Sequence, residues 1–374
     1  MPRRATKRGS DRTTLRRDCD VLVCGASFAG LAVARELAGS GADVLVVDRY
    51  EIGERQTSAC GVPTLWLEAL GLTDALQQTF GELVIHTPHA SVNYALPWTF
   101  STFDYPALCG LLADQGEFDF ETAAVVERRG DTVVTDRGEL RAPFIVDGLG
   151  WRRVLGLGDN VQPPDALLSR GLEVHPFGAG SELEVWIDRR YVPAGYGWSF
   201  PADAEVRVGV GSFDPRFHVR EPTVRLAEDL GRDTTGYQGN WIPHALRPAT
   251  EDGVFFVGDS AGHCLPLTAE GIRTALYFGI ACGRELRAVI EGRQTRAQAL
   301  ARYHAFSAGH ATAFRWMLRV QRLIPRVAPR LLGPAVQAMG TKRFVDWSFG
   351  HYLSVAHPSF ATGVDAPART AVAA

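Results

Sequence analysis

Few folds are open to a chain that begins its ordered part as Asp20-Val-Leu-Val-Cys24, Gly25-Ala-Ser-Phe-Ala-Gly30, a run of small and apolar residues to Ala38, and then Ala42 to Asp48. Short apolar runs such as VLVC and VLVV suit strands buried on both faces. Gly25 and Gly30 bracket a tight turn, the residues from Leu31 to Ala38 make a helix, and Gly39 and Gly41 stop it. Strand, turn, helix and strand joined this closely form a right-handed βαβ unit, with a crevice at the carboxyl ends of the strands.

That crevice suits a nucleotide. Glycines let the backbone bend sharply and admit a pyrophosphate, and unpaired N–H groups at a helix start favour its charge. Ser27 replaces the middle glycine and offers its hydroxyl to a phosphate oxygen. Asp48 closes the second strand, where a carboxylate accepts bonds from ribose hydroxyls. The expected contacts are Gly25, Ser27, Phe28, Ala29, Gly30 and Asp48.

Further along, Glu182 to Ile187 and Glu205 to Gly211 alternate like antiparallel strands, Asp104 to Asp114 reads as a helix, Ala123 to Leu140 as a meander, and Phe144 to Asp147 and Gly253 to Val257 as buried strands. Glu270 to Ile290 is a long helix, and the chain beyond is helical, broken by Pro325, Pro329 and Pro334. The order predicts an α/β protein. A Rossmann-like nucleotide domain is assembled from discontinuous segments (18–85, 104–160 and 246–292), with an antiparallel-sheet substrate domain inserted (86–103 and 161–245). A helical region covers 293–365; residues 1–17 read as a disordered basic arm and 366–374 as a tail.

Composition removes several chemistries. Of 39 basic residues only Lys7 and Lys342 are lysines, and neither lies near a motif, which excludes Schiff-base and P-loop mechanisms. The six cysteines are scattered without metal-ligand spacing, so no metal site and a reducing, cytoplasmic setting are expected. No apolar run is long enough to cross a bilayer.

A second motif lies far downstream: Val254-Phe-Phe-Val-Gly258-Asp259-Ser-Ala-Gly262-His-Cys-Leu-Pro266-Leu-Thr-Ala-Glu270-Gly271-Ile272. A buried strand delivers Asp259, and the loop shaped by Gly262 and Pro266 runs into a helix opened by Gly271. In the same crevice, Asp259 is suited to accept a bond from the ribityl chain of a flavin. Backbone N–H groups near Gly271 and Ile272 suit the pyrimidine edge of its ring.

GASFAG, Asp48, the Asp147-Gly148 pair and GDSAGHCLPLTAEGI together resemble the FAD-binding signatures of the para-hydroxybenzoate hydroxylase superfamily. Within it, Thr268-Ala-Glu-Gly-Ile272 is most similar to the geranylgeranyl reductases, whose loop has glycine where Ala269 stands. The resemblance implies FAD as cofactor, held by the residues above with Arg49, Asp147, Gly258, Asp259, Pro266, Gly271 and Ile272. It extends to Cys60-Gly61 and to Tyr196-Gly-Trp198-Ser-Phe200-Pro201. It implies Cys60 as proton donor and the three rings, on one face of a strand, as a wall for an apolar substrate. Cys264, inside the flavin loop, reads as a structural thiol near the ring, and His263 is the neighbouring alternative acid. The trio DGxxS of relatives reads Asp147-Gly148-Leu-Gly-Trp151 here.

The activity implied is reduction of C=C bonds in a prenyl-type substrate, with NAD(P)H as a transient electron donor, because no second glycine fingerprint is present. The alternative is a flavin monooxygenase acting on an aromatic or polyketide-like substrate with NAD(P)H and O2. A halogenase lacks its lysine here, and a non-catalytic flavin-binding scaffold is the rival of another class.

Charge is strongly segregated. Residues 18–292 hold 21 basic and 39 acidic residues, a net of −18, whereas Gly292 to Arg343 holds ten basic residues and no acid. The body's charge argues against nucleic acid. The basic region, 293–343, with Arg315, Arg319 and Arg322 on one helical face, fits either an anionic membrane at the cytoplasmic side or a cap docked on the acidic body.

Overall fold

The computed structural model describes residues 13–56, 58–157, 162–163 and 165–363. The first twelve residues of the expected arm and the expected tail lie outside the described residues.

The nucleotide half is a six-stranded sheet in the order Thr250–Glu251, Val254–Phe256, Phe144–Asp147, Val21–Cys24, Val44–Asp48 and Asp119–Thr122. All neighbours are parallel except the first pair. Its central strands are largely apolar because they are covered on both faces, and Val21 to Cys24 are completely buried. Cys24 pairs in register with both Val47 and Asp147, and Asp147 with Phe256. Segments more than 200 residues apart thereby end at one edge.

The first helix runs Phe28–Leu37, a turn earlier than the sequence suggests, because Leu31 N–H already reaches the Ser27 carbonyl at 2.9 Å. The turn before it admits no side chain. Gly25 has φ +111°, and a Cβ there would stand 2.3 Å from the Gly148 oxygen; one on Gly30 would stand 1.9 Å from the Gly25 oxygen.

An eight-stranded sheet forms the other half, ordered Gln238–Pro243, Leu168–Val174, Glu205–Ser212, Gly195–Ala202, Leu183–Trp186, Leu76–Thr87, Ala90–Phe103 and Gly61–Pro63. It is antiparallel apart from the pairing of Leu183–Trp186 with Leu76–Thr87. The strand Leu76–Thr87 crosses the expected boundary at residue 85 and lies wholly in this sheet, because it is one arm of a hairpin with Ala90–Phe103.

A third, four-stranded sheet pairs Arg17–Asp18 with the meander Val125–Arg129, Thr132–Thr135 and Gly138–Arg141. Residues 13–17, expected to belong to the disordered arm, are therefore part of the fold. Leu15 is buried, and Arg17 pairs with Asp43 at 2.5 Å and Asp119 at 2.6 Å.

The long helix Ile272–Ile290 packs on Phe28–Leu37, and the chain ends in helices Arg296–Gly309, Ala311–Leu323, Pro329–Met339, Lys342–Ser354 and Ser359–Thr362. Pro334, expected as a break, lies inside Pro329–Met339 on its exposed side. Its missing N–H removes one bond near the helix start without ending the helix. Tyr94 Oη donates to the Val336 carbonyl at 2.7 Å, fastening this region to the large sheet.

Candidate active site

A cavity of about 730 Å³ runs between the two main sheets. Its wall includes Ser27, Phe28, Ala29, Asp48 and Arg49 from the first βαβ unit, Gly258, Asp259, Gly271 and Ile272 from the downstream motif, and Tyr196, Trp198 and Phe200 from the large sheet. The expected residues that do not reach the wall are Gly25, Gly30, Asp147, Pro266 and Cys60.

Asp48 accepts from the Ala26 N–H at 2.8 Å and the Tyr50 N–H at 3.0 Å. Burial raises its carboxyl, and those two N–H groups oppose the rise. Ser27 does not cap the helix through its side chain, and its Oγ lies 3.1 Å from Tyr105 Oη. The first-turn N–H groups are thus left to the crevice. A side-chain-free turn, a free helix start and a strand-final carboxylate fit the pyrophosphate and ribose of FAD.

Asp147 is fully buried and turned away. Its Oδ1 accepts from Ser260 Oγ at 2.7 Å and Leu149 N–H at 2.9 Å, and its Oδ2 accepts from Leu155 N–H at 2.9 Å. It shapes the loop that carries Gly148 to Trp151 along the cavity. Asp259, by contrast, lies on the wall, where burial raises its carboxyl to about 6 against the pull of Arg247.

The loop after Asp259 is held in an unfavourable backbone. Leu267 and Ala269 have φ of +75° and +52°, left-handed values without glycine. Three bonds stabilise it. Leu267 N–H donates to Gln321 Oε1 at 2.7 Å, Leu265 N–H to the Glu270 carbonyl at 3.0 Å, and Thr268 Oγ1 to Tyr352 Oη at 3.0 Å. Tyr196 Oη also donates to the Thr268 carbonyl.

Glu270 is clamped twice. Arg273, completely buried, donates to it at 2.7 and 2.8 Å, and Tyr352 donates from the opposite side. Arg273 also donates to the carbonyls of Leu353, Val355 and Ala356. The C-terminal helices are by this route part of the site, and Phe349 and Tyr352 line the cavity.

Cys60 is fully buried at φ +56°, with its Sγ 3.1 Å from the Ser58 carbonyl it donates to. Its neighbours Ala59 and Gly61 line the cavity. Burial pushes its thiol far up, so it stays protonated. Cys264 lines the cavity and is likewise raised by burial. His263 is turned into the core, 2.9 Å from Ser307 Oγ and stacked on Phe278, and burial holds it neutral.

Behind the aromatic wall stands a buried charged cluster that motif reading missed. Glu173 lines the cavity, accepting from Trp198 Nε1 at 3.1 Å and Gln238 Nε2 at 2.9 Å, with His175 Nε2 at 3.0 Å. His175 also faces Glu205, which accepts from Arg207 Nε at 2.9 Å. Arg207 then donates to the Ala59 carbonyl at 2.9 Å, beside Cys60. Two anions and two cations balance. The only sequence signal was an ionisable residue on alternate positions of strands otherwise apolar.

Residues 18–87 match the model of a family described as FAD binding domain. The chain is 24% identical over 337 residues to digeranylgeranylglycerophospholipid reductase 3 of Methanosphaera stadtmanae, covering 79% of this chain and 83% of the relative. A geranylgeranyl bacteriochlorophyll reductase-like structure from Thermoplasma acidophilum superposes with a TM-score of 0.78 at 17% identity, over 93% of this chain and 98% of that one. A probable FAD-dependent monooxygenase from Pseudomonas aeruginosa gives 0.61 at 19% identity, over 92% and 99%.

Fold, crevice and matched domain together define an FAD-dependent oxidoreductase. In sequence the chain is similar to the digeranylgeranylglycerophospholipid reductases, and in fold to the geranylgeranyl bacteriochlorophyll reductase-like structure.

Proposed function

We propose that this protein reduces C=C bonds of an apolar, prenyl-type substrate. The observation that carries the reading is one continuous cavity. It joins the crevice suited to FAD with a wall of Tyr196, Trp198 and Phe200, flanked by Leu83, Ile85 and Phe349. Apolar and aromatic walls with few polar groups suit a hydrocarbon chain. Relatives whose names specify digeranylgeranylglycerophospholipid reduction support the substrate class.

FAD, when bound and reduced, supplies a hydride at N5. Gly25, Ser27, Phe28, Ala29 and Gly30 receive its pyrophosphate, Asp48 and Arg49 its ribose end, and Asp259 the ribityl chain. Gly258, Pro266, Gly271 and Ile272 shape the backbone beside the ring. Asp147 acts from behind, by holding the Gly148 loop.

Cys60, kept protonated by burial, delivers the proton to the second alkene carbon by turning from the Ser58 carbonyl. Arg207 sets the Ala59–Cys60 backbone for that turn. NAD(P)H is the proposed donor, binding transiently. The setting proposed is cytoplasmic, at the inner face of a membrane through region 293–343.

An anaerobic assay with a geranylgeranyl lipid and NAD(P)H tests this reading. Saturated product is expected without oxygen. Product that forms only with O2, and gains a hydroxyl, would replace reduction by monooxygenation. In Cys60→Ala, flavin bleaching by the donor persists while product formation falls about a hundredfold.

A further inference from the structure

We propose that helices Ala311–Leu323, Pro329–Met339 and Lys342–Ser354 present a face that lies on an anionic lipid bilayer, and that an apolar chain passes from it into the cavity between Ile324 and Phe349. The inference deepens the proposed function by naming the surface and the route.

Among the described residues, twelve large apolar side chains are exposed, and six of them fall in this short region: Trp316, Leu323, Leu331, Met339, Phe344 and Trp347. Trp316 and Leu323 stand two turns apart on one face of Ala311–Leu323, while Phe314, Met317 and Gln321 are buried on the other. Phe344 and Trp347 touch, with ring centroids 5.6 Å apart. Exposed rings and aliphatic chains concentrated in one stretch of chain are the material of an interaction surface.

The charges interleaved with them identify the partner. Arg315, Arg319, Arg322, Arg326, Arg330 and Arg343 are exposed and form no ion pair with any acid among the described residues. Arg207 and Arg273, by contrast, are buried and paired with Glu205 and Glu270. No described acid of the body therefore pairs directly with these six arginines. A second copy of the chain docked face to face would bring like charges together. An anionic leaflet takes arginine heads at the phosphates and rings at the acyl boundary. The net −18 of residues 18–292 is repelled by the same leaflet, which turns this face toward it.

The cavity adjoins the face. Ile324 and Phe349 line it, and each lies within two residues of an exposed anchor, Leu323 and Trp347. Among the described residues no helix is long and apolar enough to cross a membrane, so contact is peripheral.

The test is sedimentation of the FAD-loaded full chain with vesicles. Binding is expected to phosphatidylcholine containing about a quarter phosphatidylglycerol, and to weaken about tenfold on pure phosphatidylcholine or in about 0.5 M salt. The combined substitution Trp316→Ser, Leu323→Ser, Leu331→Ser and Trp347→Ser is expected to lose binding at least about tenfold with an unchanged melting curve. Absence of binding to the anionic vesicles overturns the proposal. So does a wild-type dimer that these substitutions dissociate, which would make the face a contact between copies. Vesicle binding is read without turnover, and a short soluble prenyl substrate assays reduction without vesicles, so the two readings fail separately.

Discussion

The indole Nε1 of Trp198 donates across 3.1 Å to Oε2 of Glu173, tying the aromatic wall of the cavity to a charged cluster buried behind it. Glu173 and Glu205 hold His175 between them. Burial alone would lower the imidazolium, but the two carboxylates overcome it and push His175 up to about 9. The folded value lies above the ordinary one, so the stabilisation is complete below about pH 6.5 and is lost as pH rises through about 9. It amounts to about 3 kcal/mol. Thermal melts should therefore fall between about pH 7 and pH 9.5, and in His175→Gln that slope should flatten; an unchanged slope would remove the imidazolium from the cluster.

Arg273 makes the opposite kind of bond, joining parts of one site across the chain. Arg273→Met leaves Glu270 buried without its cation, and the carbonyls of Leu353, Val355 and Ala356 without their donor. A loss of about 3–5 kcal/mol is expected. Limited proteolysis should then cut first near residues 340–356, and cutting elsewhere would contradict the tie.

Asp259 combines two demands that conflict. Burial raises its carboxyl to about 6, so ionising it disfavours the folded chain as pH climbs from about 4 to about 6, and the penalty persists above. Asp259→Asn should make the FAD-free chain more stable at pH 7, by about 1–2 kcal/mol. The same variant should bind FAD more weakly, by at least about tenfold in a fluorescence titration. Weaker binding with lower stability would show the carboxylate to be structural.

Ala269 sits at φ +52° beside the cavity. An L-residue there costs about 1–2 kcal/mol, and glycine removes that cost while adding freedom to the unfolded chain. Ala269→Gly should raise stability by about 0.5–1 kcal/mol in denaturant titration. A loss of stability would mean that the alanine methyl packs usefully against the loop.

The nucleotide half of the molecule is legible along the chain because its determinants are local. A βαβ unit is specified by residues within one short stretch, and Gly25, Gly30 and Asp48 act through backbone space and strand ends that periodicity locates. Even the distant strand to Asp259 announces itself by an apolar run and a glycine. The rings of Tyr196, Trp198 and Phe200 follow from alternation along one strand, and all three do line the cavity.

The opposite wall follows no such rule. Whether Asp147 faces the crevice or the core depends on Ser260, 113 residues away, and Glu270 meets Tyr352 across 82. Cys60 is one residue from the wall on either side yet turned behind it, a matter of a single backbone angle. The division of the chain shows the same contrast, since the strand Leu76–Thr87 joins the large sheet through its hairpin and not through its composition. Periodicity tells a residue which side of its own element it occupies. Only the packing of one element on another tells it what stands there, and here that decided which carboxylates serve the cavity and which hold the frame around it.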